Sequence, residues 1–277
     1  MSAFTDVQID EVRRYWDRRP CNVRHSPAPV GTREYFDQVE ARKYYVEPHI
    51  PRLADFHRWS DRRVLEVGCG IGTDTINFAR AGARVTAVDL SEVSLDLARR
   101  RAELFGVADR VTFIAADAER LSEFVEPTPY DLIYSFGVIH HAPHPEKIVS
   151  ELRSGFCNPE TELRLMVYNR YSWKVLRILV TEGHGAVWDL DRLVARNSEA
   201  ESGCPVTYTY SRRSVDELLQ GFIIKDAFVD HIFPFRVRDY VQYRYVRNPI
   251  ARHVPKSVWR RLERRLGWHL CVTAVPA

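Results

Sequence analysis

The sequence predicts an α/β fold, a mainly parallel sheet with helices on both faces. Three observations predict it. Between residues 60 and 170, short apolar runs alternate with stretches of helical length. The first apolar run, Val64-Leu65-Glu66-Val67, enters a three-glycine turn, Gly68-x-Gly70-x-Gly72, that opens a helix. Acids then mark the ends of the next two runs: Asp89 follows Arg84 to Val88, and Asp117 follows Arg110 to Ala116.

The elements justify themselves in order. Residues 1–59 read as a helical extension. One helix is expected from Asp6 to Arg18 and a second from Thr32 to Val46, with Thr32 as N-cap. Pro20, Pro27 and Pro29 make the segment between them a loop. On the second helix Phe36, Val39, Lys43 and Val46 share a face, with Tyr35 near its edge. Pro48 and Pro51 precede a short helix ending near Trp59. In the core, helices are expected at about 73–81, 91–105 and 145–154, the last with Pro145 in its first turn. Fourth and fifth strands are expected at Tyr130 to Phe136 and Glu162 to Tyr168. Beyond them Trp173 to Val180 reads as helix, and Glu182 to Tyr210 as a polar passage. A helix at Val215 to Gln220 is capped by Ser211 or Ser214, and strands follow at Phe222 to Val229 and His269 to Ala274.

Composition sets bounds. The 277 residues are 45% hydrophobic, enough for an α/β domain with additions. No run approaches the ~18 apolar residues of a membrane span, and the N-terminus lacks a signal-peptide pattern. Cys21, Cys69, Cys157, Cys204 and Cys271 are scattered without a C-x-x-C pair, so neither a disulfide framework nor a metal site is expected. A reducing cytoplasm is the expected compartment. Net charge is +3, yet ten basic side chains between Arg236 and Arg265 face only Asp239 and Glu263. That segment reads as a solvated helical face anchored by Trp259, Leu262, Leu266 and Trp268, with an anionic partner such as RNA as the alternative.

The glycine turn grips an adenosine-type ligand. Glycines permit a tight turn and close backbone approach, and Asp89 stands where a carboxylate accepts both ribose hydroxyls. The turn does not match a dinucleotide fingerprint, because Thr73 replaces its third glycine. Glu66 repels a pyrophosphate but orients an ammonium group. In these motifs the chain resembles the class I S-adenosylmethionine-dependent methyltransferases, in the branch acting on small molecules, over roughly residues 60 to 170. The resemblance implies a Rossmann-like sheet of seven strands, the last antiparallel, with residues 60–277 as the methyltransferase domain under an N-terminal cap of residues 1–59. Insertions would lie at about 171–210 and 233–266. It also implies S-adenosylmethionine as cosubstrate. Gly68, Gly70 and Gly72 would cradle its methionine part, Asp89 its ribose and Asp117 its adenine amino group.

Ligands of open α/β sheets sit beyond the carboxyl ends of the strands. This adds Cys69, Leu90, Ala118 and Phe136 to the cosubstrate site, with Cys69 as a small side chain rather than a nucleophile. His141 is the candidate base, because imidazole titrates near neutral pH, and Tyr168 a candidate donor to substrate. Arg24, Tyr35, Tyr45, Tyr171 and His231 are candidate substrate contacts. The acceptor chamber is expected from residues 20–50, 168–210 and 230–260. Its rings, Trp188 among them, favour an apolar or aromatic molecule. Ser135-Phe136-Gly137-Val138 stands where enzymes methylating nucleobase amines carry N/D/S-P-P-Y/F, which disfavours that reaction. O-, C- and N-methylation of a small metabolite, with specialised metabolism as the expected setting, stay open. The alternatives are methylation of RNA or protein, or a non-methylating relative that still binds the cosubstrate.

Overall fold

The computed structural model describes residues 3–183, 189–197 and 204–277. Seven strands form one sheet: β1 (Arg63–Val67), β2 (Arg84–Asp89), β3 (Val111–Ala115), β4 (Leu132–Phe136), β5 (Glu162–Tyr168), β6 (Phe222–Asp230) and β7 (His269–Pro276). Their order is β3-β2-β1-β4-β5-β7-β6. The first five are parallel, and β7 runs antiparallel between β5 and β6. Both faces of β1, β4 and β5 are buried, as continuous apolar runs require in a sheet covered on two sides.

The helices are α1 (Ile9–Arg18), α2 (Arg33–Val46), α3 (Ile50–Ala54), α4 (Thr73–Arg80), α5 (Glu92–Phe105), α6 (Pro145–Gly155), α7 (Trp173–Thr181), α8 (Leu190–Asn197), α9 (Arg212–Leu218), α10 (Val237–Tyr240), α11 (Pro249–His253) and α12 (Lys256–Leu266). The caps expected at Thr32 and at Ser211 or Ser214 are present, and Ser91 adds one. Thr32 accepts from the Tyr35 N–H, Ser91 from Ser94, and Ser211 and Ser214 make a reciprocal capping box.

Three expectations are corrected. The first helix starts at Ile9, not Asp6, because Phe4 turns inward and its carbonyl accepts from Val7 N–H. The element ending at Trp59 is two pieces, α3 and a 3-10 turn at Phe56–Trp59, separated by Asp55 at φ +49°. The passage after Glu182 contains α8, whose Val194 and Ala195 are buried. Trp188 and parts of the expected 171–210 insertion lie outside the described residues.

Buried ion pairs fasten α2 over the start of α4. Lys43 Nζ lies 2.9 Å from Asp74 Oδ2, and Tyr44 and Tyr134 also donate to that carboxylate. Arg101 of α5 is fully buried and bonds Glu40 at 2.8 Å, Thr73 at 2.7 Å and the Phe36 carbonyl. These contacts bind the N-terminal extension to the helices that follow β1 and β2.

Candidate functional site

The glycines after β1 serve three different ends. All have positive φ: Gly68 +80°, Gly70 +53° and Gly72 +75°. A Cβ on Gly68 would sit 2.1 Å from Val138 Cγ2, so that glycine lets the turn after β4 approach. A Cβ on Gly72 would meet Ala98 of α5 at 3.0 Å. Around Gly70 the space is open. The Gly70 N–H donates to Asp89 Oδ2 at 2.7 Å, and the Ser91 N–H to Asp89 Oδ1 at 2.9 Å. Burial raises the Asp89 carboxyl above its ordinary range, against the pull of these donors.

Glu66 is buried and accepts from Thr75 Oγ1. Burial, then the nearby Asp74 carboxylate, pushes it up to about 8. Burial also raises the Cys69 thiol well above its usual range.

At the ends of β2 and β3 lies a cavity of about 190 Å³, lined by Arg13, Asp17, Leu90, Glu92, Ala115, Ala116, Asp117 and Phe124. Leu90 and Asp117 are thus brought together, and α1 supplies one wall. Asp117 Oδ1 also accepts from the Glu119 N–H just beyond Ala118.

A chain of packed rings runs along the sheet's carboxyl edge. His141 packs edge-on against Trp16 and Tyr168, with centroids 5.3 and 5.5 Å away. Its Nδ1 meets the Val206 carbonyl at 2.7 Å, which fixes the ring's orientation. His140, fully buried, lies 3.9 Å from Tyr168 centroid to centroid, and Trp268 stacks on Tyr168 at 4.0 Å. Tyr168 connects this stack to three histidines through His269 at 6.2 Å, and Phe136 lies beside them, 5.5 Å from His269 and 5.9 Å from His49. His231 stacks on His269 at 4.7 Å. Burial holds all three imidazoles below the ordinary range, His49 to about 4 and His231 to about 3.

The other expected substrate residues fall elsewhere. Tyr35 is fully buried beside Phe36 and Val39, its hydroxyl donating to the Val23 carbonyl. Arg24 is exposed, and its carbonyl accepts from Tyr243. Tyr171 is 69% exposed. Tyr45 is 60% exposed but lines a second cavity of about 460 Å³ with His25, Arg42, Tyr243 and Tyr245.

Sequence reading missed Glu47, His49 and His269. Glu47-Pro48-His49 read only as a helix end before a proline, and His269 only as the start of a strand. No spacing links residues 220 positions apart.

Comparison with known proteins agrees with this geometry. Residues 64–155 match the family described as methyltransferase domain. A ubiquinone biosynthesis O-methyltransferase from Bordetella parapertussis is 39% identical over 90 residues, 32% of this chain and 36% of that one. A tRNA 5-carboxymethoxyuridine methyltransferase from Escherichia coli is 36% identical over 109 residues, 39% and 41% of the two chains. The chain thus spans well under half the length of these curated relatives. Among solved structures, magnesium protoporphyrin IX methyltransferase from Synechocystis, with bound S-adenosylhomocysteine, superposes with TM-score 0.59. That match has 17% identity and covers 98% of this chain and all of the other. Geranyl diphosphate C-methyltransferase from Streptomyces coelicolor gives 0.57 at 14% identity, covering 97% and 98%. By strand order and superposition the chain has the fold of S-adenosylmethionine-dependent methyltransferases, and residues 64–155 carry the match to a methyltransferase domain. Among its described residues no helix is long and apolar enough to cross a membrane.

Proposed function

We propose that this chain transfers a methyl group from S-adenosylmethionine to an oxygen, carbon or nitrogen of a small-molecule acceptor. The observation that carries the reading is the junction of the β1 turn with the end of β2. There the one glycine with open space before it is tied to the one carboxylate suited to ribose hydroxyls. Asp117 lines the neighbouring cavity, fitting an adenine beside the ribose. Glu66, Gly68, Cys69, Gly70 and Gly72 form the methionine end, with Leu90, Ala118 and Phe136 along the remaining walls.

The sulfonium carries its own leaving group, so the protein chiefly holds the acceptor in line with the methyl. His141 and Tyr168, stacked edge to face, are the proposed acid–base and orienting pair. The supporting arrangement is an aromatic and histidine-lined edge covered by α2 and by residues 231–268, which favours a compact, ring-bearing acceptor. A cytoplasmic setting belongs to the same proposal, and none of the five cysteines forms a disulfide.

RNA is a second reading, favoured by the exposure of all ten basic side chains between Arg236 and Arg265. Incubation with methyl-labelled cosubstrate and fractionated cell extract tests both. Label in the small-molecule fraction is expected. Label in RNA that vanishes at high salt would replace the first reading by the second.

A further inference from the structure

Glu47, His231 and His269 each bring one ligand-type atom to a common point, the three lying within 4.8 Å of one another. The His269 Nε2 to Glu47 Oε1 distance is 3.6 Å. Tetrahedral zinc with bonds of about 2.0–2.1 Å separates its ligand atoms by about 3.3 Å, so a small inward movement of side chains suffices. The outer side of the His269 imidazole is already held, as a metal-binding histidine requires. His269 Nδ1 meets His49 Nε2 at 2.9 Å, which directs Nε2 toward Glu47. His231 stacks on His269 at 4.7 Å, which places its ring beside the same point.

The backbone at His231 gives a second, independent sign. His231 has φ +73°, a conformation that a side-chain-bearing residue rarely adopts. It is pinned there by its own N–H to Asp230 Oδ1 at 2.7 Å and by the Trp268 N–H to its carbonyl at 2.8 Å. Strain of this kind persists where the surroundings over-determine a functional geometry. The three residues come from the end of α2, the end of β6 and the start of β7, all at the carboxyl edge of the sheet. His269 lies against Phe136, where the proposed cosubstrate and acceptor sides meet.

We propose that Glu47, His231 and His269 bind one divalent metal ion of the zinc or iron(II) type. Two imidazoles and a carboxylate suit such ions and leave coordination positions for oxygen donors. On the transferase reading, those positions hold a hydroxyl or carboxylate oxygen of the acceptor beside the reacting methyl. Ion binding itself does not depend on that reading.

The test titrates chelator-treated full-length chain with Co²⁺, read by its visible absorption, and with Zn²⁺ by calorimetry. One ion per chain is expected, with affinity lost in Glu47→Gln and His231→Ala and lowered about 10–100-fold in His49→Phe. Adding acetohydroxamate to the Co²⁺ form should shift the absorption bands, since open positions take oxygen ligands. Each variant is titrated in parallel with S-adenosylhomocysteine, whose binding should be unchanged; this separates a misfolded variant from a lost ion and tests the cosubstrate site independently. Failure of the wild-type chain to bind either ion, or full binding by Glu47→Gln and His231→Ala together, overturns the site. Unshifted bands with acetohydroxamate overturn the open positions.

Discussion

The Gly70 backbone N–H and the Asp89 carboxylate lie 2.7 Å apart, joining the turn after β1 to the end of β2. One oxygen of Asp89 thereby locks the open stretch of the turn, and the other accepts from Ser91. On the proposed function, the carboxylate both shapes the cradle and presents acceptors to a ribose. Asp89→Ala is expected to weaken S-adenosylhomocysteine binding by about 1–3 kcal/mol, because paired hydroxyls lose their acceptor. Calorimetric titration of wild type and variant measures it, and equal affinities would refute the ribose role.

Gly70 and Gly68 should respond differently to added side chains. Gly70→Val fills the open space in front of the turn and strains a φ of +53°, so binding is expected to vanish in a chain that still folds with a modestly lowered melting temperature. Gly68→Ala drives a Cβ into Val138, so the damage should appear as a lowered melting temperature. Circular dichroism melts beside ligand titration distinguish the two outcomes.

Glu66 gives a pH prediction. Its folded pKa, about 8, stands above the ordinary 4.5, so folding takes up a proton between these values. Its contribution is complete below about pH 4.5 and is lost as pH rises through about 8, with a slope of at most about 1.4 kcal/mol per pH unit. Glu66→Gln should flatten that part of the stability–pH curve in urea melts without ligand. A slope unchanged by the substitution would assign it to other groups.

The His141 role is tested by Ala replacement. Transfer of labelled methyl to the extract fraction that accepts it should fall, about 10²–10⁴-fold if the ring moves a proton in the transition state. S-adenosylhomocysteine affinity should stay the same. Weakened affinity with intact transfer would make His141 part of the cosubstrate site instead.

Glu40 supplies a stability test remote from the chemistry. It is the carboxylate partner of the fully buried Arg101. Glu40→Ala leaves a buried guanidinium uncompensated and is expected to cost about 3–5 kcal/mol. Denaturant melts measure it, and a loss under 1 kcal/mol would mean that Thr73 and the Phe36 carbonyl suffice for Arg101.

How much of this was legible in the sequence depends on distance along the chain. The strands, the glycine turn and the caps are local, and each announces itself within ten residues. Asp89 and Asp117 were legible because a βαβ unit fixes where strand ends fall. Arg101 was not, since in Arg99-Arg100-Arg101 nothing marks the third arginine as the one turned inward. Lys43 gave a faint sign by sharing a face with Phe36 and Val39, and that face buries it against Asp74. Of the histidine cluster only His231 gave a sign, and strand pairing in β6 and β7, not spacing, brings it to His269.

The most direct measurement is calorimetric titration of the full chain with S-adenosylhomocysteine near neutral pH. One molecule bound per chain, with affinity in the micromolar range on the order of −8 kcal/mol, is the expected result. Absence of heat, together with an unmoved melting temperature at millimolar ligand, would contradict the account at its root.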